Sequence, residues 1–212
     1  MGILKNGPFG TTTGKIQNLV SYELNGQNVI RRIGKTNKKP TLPQLAVRQR
    51  MAVVIAFLHE LKPVINIGFR EQALIARKSA HNMATSYLTK NATTGDYPEI
   101  SLDYSKAMLA QGDLLQPINP QVEQQGTRLR FSWDNPQYMA YGNRKDQVMM
   151  VAYFPEQREA SLEIFGALRT AGADFLEIDE EFQHARMEVY IAFVASDRES
   201  ASDSIHLGTL NG

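Results

Sequence analysis

Apolar and polar positions follow two different periods along the chain. From Leu114 onward the pattern is that of short strands at 114–122, 127–133 (TRLRFSW), 147–154 (QVMMVAYF), 160–166, 174–179, 187–195 (MEVYIAFVA) and 201–210, with apolar residues at every second position in the clearest of them. A period of two is that of a half-buried strand. In TRLRFSW, Leu129, Phe131 and Trp133 share one face, and Arg128, Arg130 and Ser132 the other. In MEVYIAFV, Val189, Ile191 and Phe193 alternate with Glu188, Tyr190 and Ala192. Tyr190 reads either as a corner tyrosine capping a loop or, the preferred reading, as a partly exposed strand residue. Seven short strands over roughly 100 residues predict an antiparallel β-sandwich.

The first half is mixed. Residues 1–13 are rich in Gly, Thr and Asn and read as irregular chain or a short edge segment. KIQNLVSYEL and QNVIRRI flank Asn25-Gly26, the strongest short-range hairpin signal, because both central residues of a type I′ turn need positive φ. Val20, Tyr22 and Leu24 fall on one face, with Val29 across the turn and Ile16 extending that face by parity. After the polar loop GKTNKKP, a helix begins at TLPQ. Thr41 is its N-cap, Gln44 holds the capping-box position, and Pro43 lies in the first turn. Leu45, Met51, Val54, Ile55, Leu58 and Leu61 form its expected buried stripe, and Pro63 ends or kinks it. A second helix is expected from Gly68 or Phe69 to Leu88, with Phe69, Ala73, Ile75, Ala76, Met83, Ala84 and Leu88 as core positions. TTGDYP is a turn, and EISLDY then alternates as a strand. The fold class is therefore α+β: an N-terminal β-hairpin plus helices over 1–112, then the sandwich over 113–212.

Charge separates the halves further. Leu24 to His59 holds Arg31, Arg32, Lys35, Lys38, Lys39, Arg48 and Arg50 and no acidic residue. From Asp113 to the end there are sixteen Asp and Glu against eight Lys and Arg, although the whole chain carries only +1. The seven basic residues form the candidate interaction surface, and segment 31–50 its extent. Arg48 and Arg50 lie near a helix N-terminus, where the dipole disfavours positive charge, so a partner is expected for them. No apolar run approaches bilayer length, the longest being Met51 to Leu58, and the N-terminus lacks the apolar core of a secretory signal, so the default expectation is cytoplasmic.

Chemistry is sparse. With no cysteine, thiolate zinc sites, disulfides and cysteine nucleophiles are excluded. GPFGTTTGK fails as a phosphate loop: Phe9 stands where Gly is required, and Ile16 replaces the Ser or Thr that would hold Mg²⁺. His59, His81, His184 and His206 are scattered, without metal-ligand spacing and without an evident carboxylate neighbour. Asp179, Glu180 and Glu181 read as a solvated loop, with Ca²⁺ binding the lesser alternative. No catalytic, cofactor or metal residue is assigned, and the expectation is a non-enzymatic structural or protein-interaction protein. Two alternatives remain. One is a nucleic-acid-binding module using the basic segment. The other is a carbohydrate-binding module on the sandwich, with Trp133, Tyr138 and Tyr141 as candidate platforms; Trp133 continues the Leu129 and Phe131 face and so reads as core.

Three resemblances add to this. RFSWDNP, then VMMVAYF and later VYIAFV, resemble strands of fibronectin type III domains, which implies a binding module or spacer. The whole chain resembles the uncharacterised bacterial domain-of-unknown-function family 6266. GPFGTTTGKIQNLVSYELNGQNVIRR, TLPQLAVRQRMAVVIAFL, NATTGDYPEISLDYSKAMLAQGDL and VYIAFVASDRESASDSIHLG carry that likeness. The hairpin and helix start are also similar to the opening of some small phage-like proteins, which implies a surface or phage-like assembly; Gln17 stands here where Gly is more usual.

Overall fold

The computed structural model describes residues 2–4, 12–35, 38–138 and 142–212. Most of the Gly- and Thr-rich run discarded as a phosphate loop lies outside these residues, as does Tyr141. Met1–Pro40 form one compact unit and Thr41–Gly212 another. The expected division fell at 112/113.

The first unit is a small antiparallel sheet of β1 (Gly2–Leu4), β2 (Gly14–Ile16), β3 (Leu19–Leu24) and β4 (Gln27–Arg32), in the order β1-β4-β3-β2. Asn25 and Gly26 have φ of 51° and 75°, the left-handed pair a type I′ turn demands, and Tyr22 lies directly opposite Val29. Ile16 does not extend their face. A second tight turn at Gln17, also left-handed at φ 50°, pairs Ile16 with Leu19 on the other face.

The second unit begins with α1 (Leu42–Glu60), and Gln44 accepts the Thr41 N–H at 3.1 Å as the capping-box pattern requires. At Leu61 the chain turns by 92° into α2 (Lys62–Gly68), with Pro63 in that helix's first turn. The single helix expected to Leu88 is broken again. α3 (Arg70–Ala76) ends at Arg77 in the left-handed region, and Ser79 caps α4 (Ala80–Asn91) by accepting the Asn82 N–H. Ile75, placed in the core by periodicity, is consequently exposed, as are Met51 and Ile55 of α1. Gly68 is where α2 meets the chain at 109–110: a Cβ there would lie 2.5 Å from the Leu109 carbonyl oxygen, and the Gly68 carbonyl accepts the Gln111 N–H. No single helix among the described residues is long and apolar enough to cross a membrane.

After the short pair β5 (Thr93–Thr94) and β6 (Ser101–Leu102) come the seven strands: β7 (Ile118–Gln125), β8 (Arg128–Asp134), β9 (Gln147–Phe154), β10 (Glu159–Glu163), β11 (Ala173–Glu177), β12 (Met187–Val194) and β13 (Ile205–Leu210). They form two antiparallel sheets, β10-β9-β12-β13 and β11-β8-β7. Leu129, Phe131, Trp133 and Leu176 of the smaller sheet pack with Val148, Met150, Val189, Ile191 and Phe193 of the larger. The larger sheet's opposite face, with Met149, Val151, Tyr153, Tyr190 and Ala192, packs with Val54, Phe57, Leu58, Leu61, Ile65 and Leu88 of the helices. Helices and smaller sheet thus pack on opposite faces of the larger sheet, each enclosing its own core. Every residue of β12 is buried, because both of its faces are covered.

One ion pair lies inside this unit. Arg169 donates from Nε and Nη2 to Asp146 Oδ2 at 3.2 and 2.8 Å and from Nη2 to the Leu115 carbonyl, and its guanidinium sits 3.7 Å from the Phe193 ring centroid. Both side chains are almost wholly buried. The Trp133 indole N–H donates to the Arg169 carbonyl at 2.6 Å. Loss of one partner strands the other charge without water, which typically costs about 3–5 kcal/mol. Arg169→Ala is therefore expected to lower stability by about that amount. The double replacement of Arg169 and Asp146 by apolar residues is expected to recover part of the loss. Chemical denaturation followed by Trp133 emission checks both; equal losses in the single and double variants would contradict this reading.

Candidate interaction surface

The seven basic residues divide between the two units. Arg31 and Arg32 are neighbours on β4, so the sheet's pleat sends them to opposite faces. Arg31 lies across from Val20, and its guanidinium sits 5.7 Å from the Tyr22 ring centroid, within cation–π range. Arg32 lies across from Leu19 and, with Lys35, Asn18, Ile33 and Gly34, borders an open cleft of about 500 Å³. Lys38 and Lys39 follow, both exposed. Arg48, exposed, and Arg50, half-buried, belong to α1 in the second unit. None of the seven has a carboxylate partner among the described residues. The acidic partner expected for Arg48 and Arg50 is thus not supplied by those residues.

The sheet whose last strand carries Arg31 and Arg32, and whose following loop carries Lys35, Lys38 and Lys39, has little interior among the described residues. Val29 is its one buried apolar side chain among the described residues, while Ile16, Leu19 and Leu24 are 64, 42 and 51% exposed. Ser21 and Asn28 are buried on the opposite face from Val29; Ser21 donates to the Thr12 carbonyl, and the side-chain oxygen of Asn28 has no partner among the described residues.

The other sequence candidates resolve differently. Trp133 is 4% exposed, in the core as its strand phase implied, and is no platform; Tyr138 is 88% exposed. Asp179, Glu180 and Glu181 are exposed around one short turn. His59 is a helix-surface residue, as expected, against Glu60.

His206 overturns the view that no histidine meets a carboxylate. Its Nε2 lies 2.9 Å from Oε2 of Glu188, which is 1% exposed. Thr209 donates to the same oxygen, and Arg186 donates to Oε1 at 2.8 Å. Eighteen residues of sequence separate Glu188 and His206; the β12–β13 pairing, with its bulge at Val189/Tyr190, brings them together. The signal in the sequence was the single carboxylate inside an otherwise apolar strand, since a buried charge requires partners.

Tyr190 is likewise corrected. It is 1% exposed, and its hydroxyl donates to the Tyr104 carbonyl at 2.9 Å. Burial pushes its phenol well above the ordinary range. The sequence showed the alternation of β12 but not the helices that cover its second face.

The family of unknown function DUF6266 matches the chain over residues 11–208. The chain belongs to that family. No curated protein and no solved structure matches it. The matched span takes in the hairpin, the helices and nearly all of the sandwich, so DUF6266 covers both compact units and not the sandwich alone.

The turn that presents the Tyr104 carbonyl is held by Asp103, which accepts from the Ser105 N–H and hydroxyl and pairs with Lys106 at 2.8 Å. The bonds from Lys106 and Ser105 bring Asp103 from its ordinary value near 3.8 down to about 2. A depressed carboxylate stabilises the fold fully above its unfolded pKa and loses that contribution as pH falls through its folded one. Asp103→Asn keeps an acceptor for Ser105 but removes the charge. It is expected to lower stability near neutral pH by no more than about 1 kcal/mol, because the pair faces solvent. The difference from the parent is expected to vanish as pH falls from about 4 to 2, measured by urea denaturation across that range.

Proposed function

We propose that this protein is a non-enzymatic interaction protein. Its cationic N-terminal sheet docks on an acidic protein surface, and the partner is the acidic region of a second copy. The observation that carries this reading is the state of the first unit: among the described residues its sheet buries one apolar side chain, and the unit leaves six cations without carboxylates. A small sheet with exposed apolar residues and unneutralised charge gains from being covered.

The sequence supplies the complementary surface. Residues 1–40 hold seven Lys and Arg against the single acid Glu23, a balance of +6, and the rest of the chain holds −5. Oppositely charged regions on one chain favour a head-to-tail contact between copies, which closes into a ring or continues as a filament. Such a contact suits the surface or phage-like assembly implied by resemblance. The buried charges support a structural reading of the second unit, since Asp146, Arg169 and Glu188 all have their partners within the protein.

Light scattering on a sizing column tests the proposal. The mass is expected to rise above the 23.8 kDa of one chain with concentration at about 50 mM salt and to fall back at about 500 mM, where surface charge is screened. Replacing Arg31, Arg32, Lys38 and Lys39 together by Ala is expected to give a monomer at both salt levels, with stability within about 0.5 kcal/mol of the parent because no described ion pair is lost. A monomer at high concentration and low salt overturns the reading. Low-salt retention of nucleic acid that the quadruple variant loses moves the assignment to a nucleic-acid module.

A further inference from the structure

A second feature, in the other unit and independent of the charged sheet, is a cleft of about 250 Å³ between α1, β6 and the β9–β10 hairpin. Val53, Ala56 and Phe57 of α1 form one wall, Ile100 to Leu102 another, and Tyr104, Tyr153, Pro155 and Arg158 complete it. Its base is aromatic. Phe57 meets Tyr153 edge to face at 4.8 Å between ring centroids and Tyr104 at 5.7 Å, and the two tyrosines are 6.0 Å apart.

Two phenol groups of this cleft are not used by the fold: the hydroxyls of Tyr153 and Tyr104 have no hydrogen-bond partner among the described residues. Tyr190, in the same core, does find a carbonyl. Burial pushes the Tyr153 phenol up to about 12 and also raises Tyr104, so both remain proton donors at ordinary pH. Arg158 ends the turn between β9 and β10 at a left-handed φ of 59°, a conformation uncommon outside Gly, Asn and Asp, and has no carboxylate partner among the described residues. It lines the cleft together with Tyr153. The Glu60 carboxylate is engaged by His59 at 2.6 Å.

We propose that this cleft binds a small apolar carboxylate, its ring or short chain against Phe57, Val53 and Leu102 and its carboxylate at Arg158 and the Tyr153 hydroxyl. A lone guanidinium beside phenol donors matches a planar monoanion, which an arginine can hold through two parallel bonds. The cleft sets apolar side chains beside polar ones, and its volume falls below the range of about 300–1,000 Å³ taken by drug-sized ligands.

Phenylacetate is a suitable probe, with phenethyl alcohol as its uncharged counterpart. Binding is read by saturation-transfer NMR and by tyrosine emission. Trp133, the only tryptophan, lies in the core on the other face of the sheet and reports folding separately. Phenylacetate is expected to bind saturably and to outcompete the alcohol. Arg158→Asn tolerates the left-handed φ and is expected to weaken phenylacetate by about tenfold or more while leaving the alcohol unchanged. Tyr153→Phe is expected to weaken it roughly three- to tenfold. If Tyr153→Phe disturbs Trp133 emission, Arg158→Asn decides alone. Absence of saturable binding to the parent protein, or equal phenylacetate affinity in parent and Arg158→Asn, overturns the proposal. Neither result bears on the cationic sheet, which lies in the other unit.

Discussion

The second unit depends on a sheet that is dry on both sides. β9 and β12 lie at the centre of the four-stranded sheet, and every residue of β12 is buried. Alternate side chains of one strand must therefore satisfy two different neighbours. Met150, Val189 and Phe193 meet the smaller sheet, and Met149, Val151 and Tyr190 meet the helices. A shift of one residue in β12 would exchange the two sets and send Glu188 and Tyr190 into the all-apolar core. Register, the helical layer and the position of the second sheet are thus fixed by the same alternation. The helices cannot be treated as a separate domain, since removing them would expose half of the side chains of two central strands.

Few polar groups penetrate this interior, and each is positioned by strands and loops remote in sequence. Glu188 is reached by Arg186 on its own chain segment and by His206 and Thr209 from β13. Arg169 joins Asp146 to the Leu115 carbonyl, stacks over Phe193 and offers its own carbonyl to Trp133. Such contacts are poor sources of net stability, because desolvation opposes the Coulombic gain. They do discriminate between packings, because any arrangement that separates the partners leaves a charge buried alone.

What the sequence revealed follows from whether a signal is local. Asn25-Gly26, the Thr41–Gln44 cap, the helix break before Pro63 and the seven strands each rest on residues within a few positions of one another, and all are present. Ile16 was misplaced because parity was carried through Gln17, whose positive φ turns the chain; nothing in a period-two pattern registers such a turn. Met51 and Ile55 were assigned to a core stripe because apolar spacing shows that a face is apolar without showing what covers it. The contacts of Tyr190, Glu188 and His206 were not legible, since they arise from pairing between strands and from a helical layer that begins more than 100 residues earlier. For the interaction surface the sequence identified the cations and their lack of nearby acids, but not that Arg31 and Arg32 would face opposite ways.

The two units differ in how fully they satisfy themselves. The larger has two continuous apolar cores, and its Asp146–Arg169 pair and Glu188 carboxylate find partners within them, while the Gln49 and Glu71 side-chain oxygens have none among the described residues. Among the described residues the smaller has Val29 as its one buried apolar side chain and a set of exposed aliphatic residues among cations. Hydrophobic burial is the dominant favourable term in folding, and an isolated hairpin without an apolar layer is marginal in water. Four strands linked through hydrogen bonds but enclosing so little surface therefore have more to gain from a further covering than any part of the sandwich does. The charge pattern then restricts the cover to an acidic one, because approach of a basic or purely apolar surface would leave the arginines and lysines desolvated without compensation.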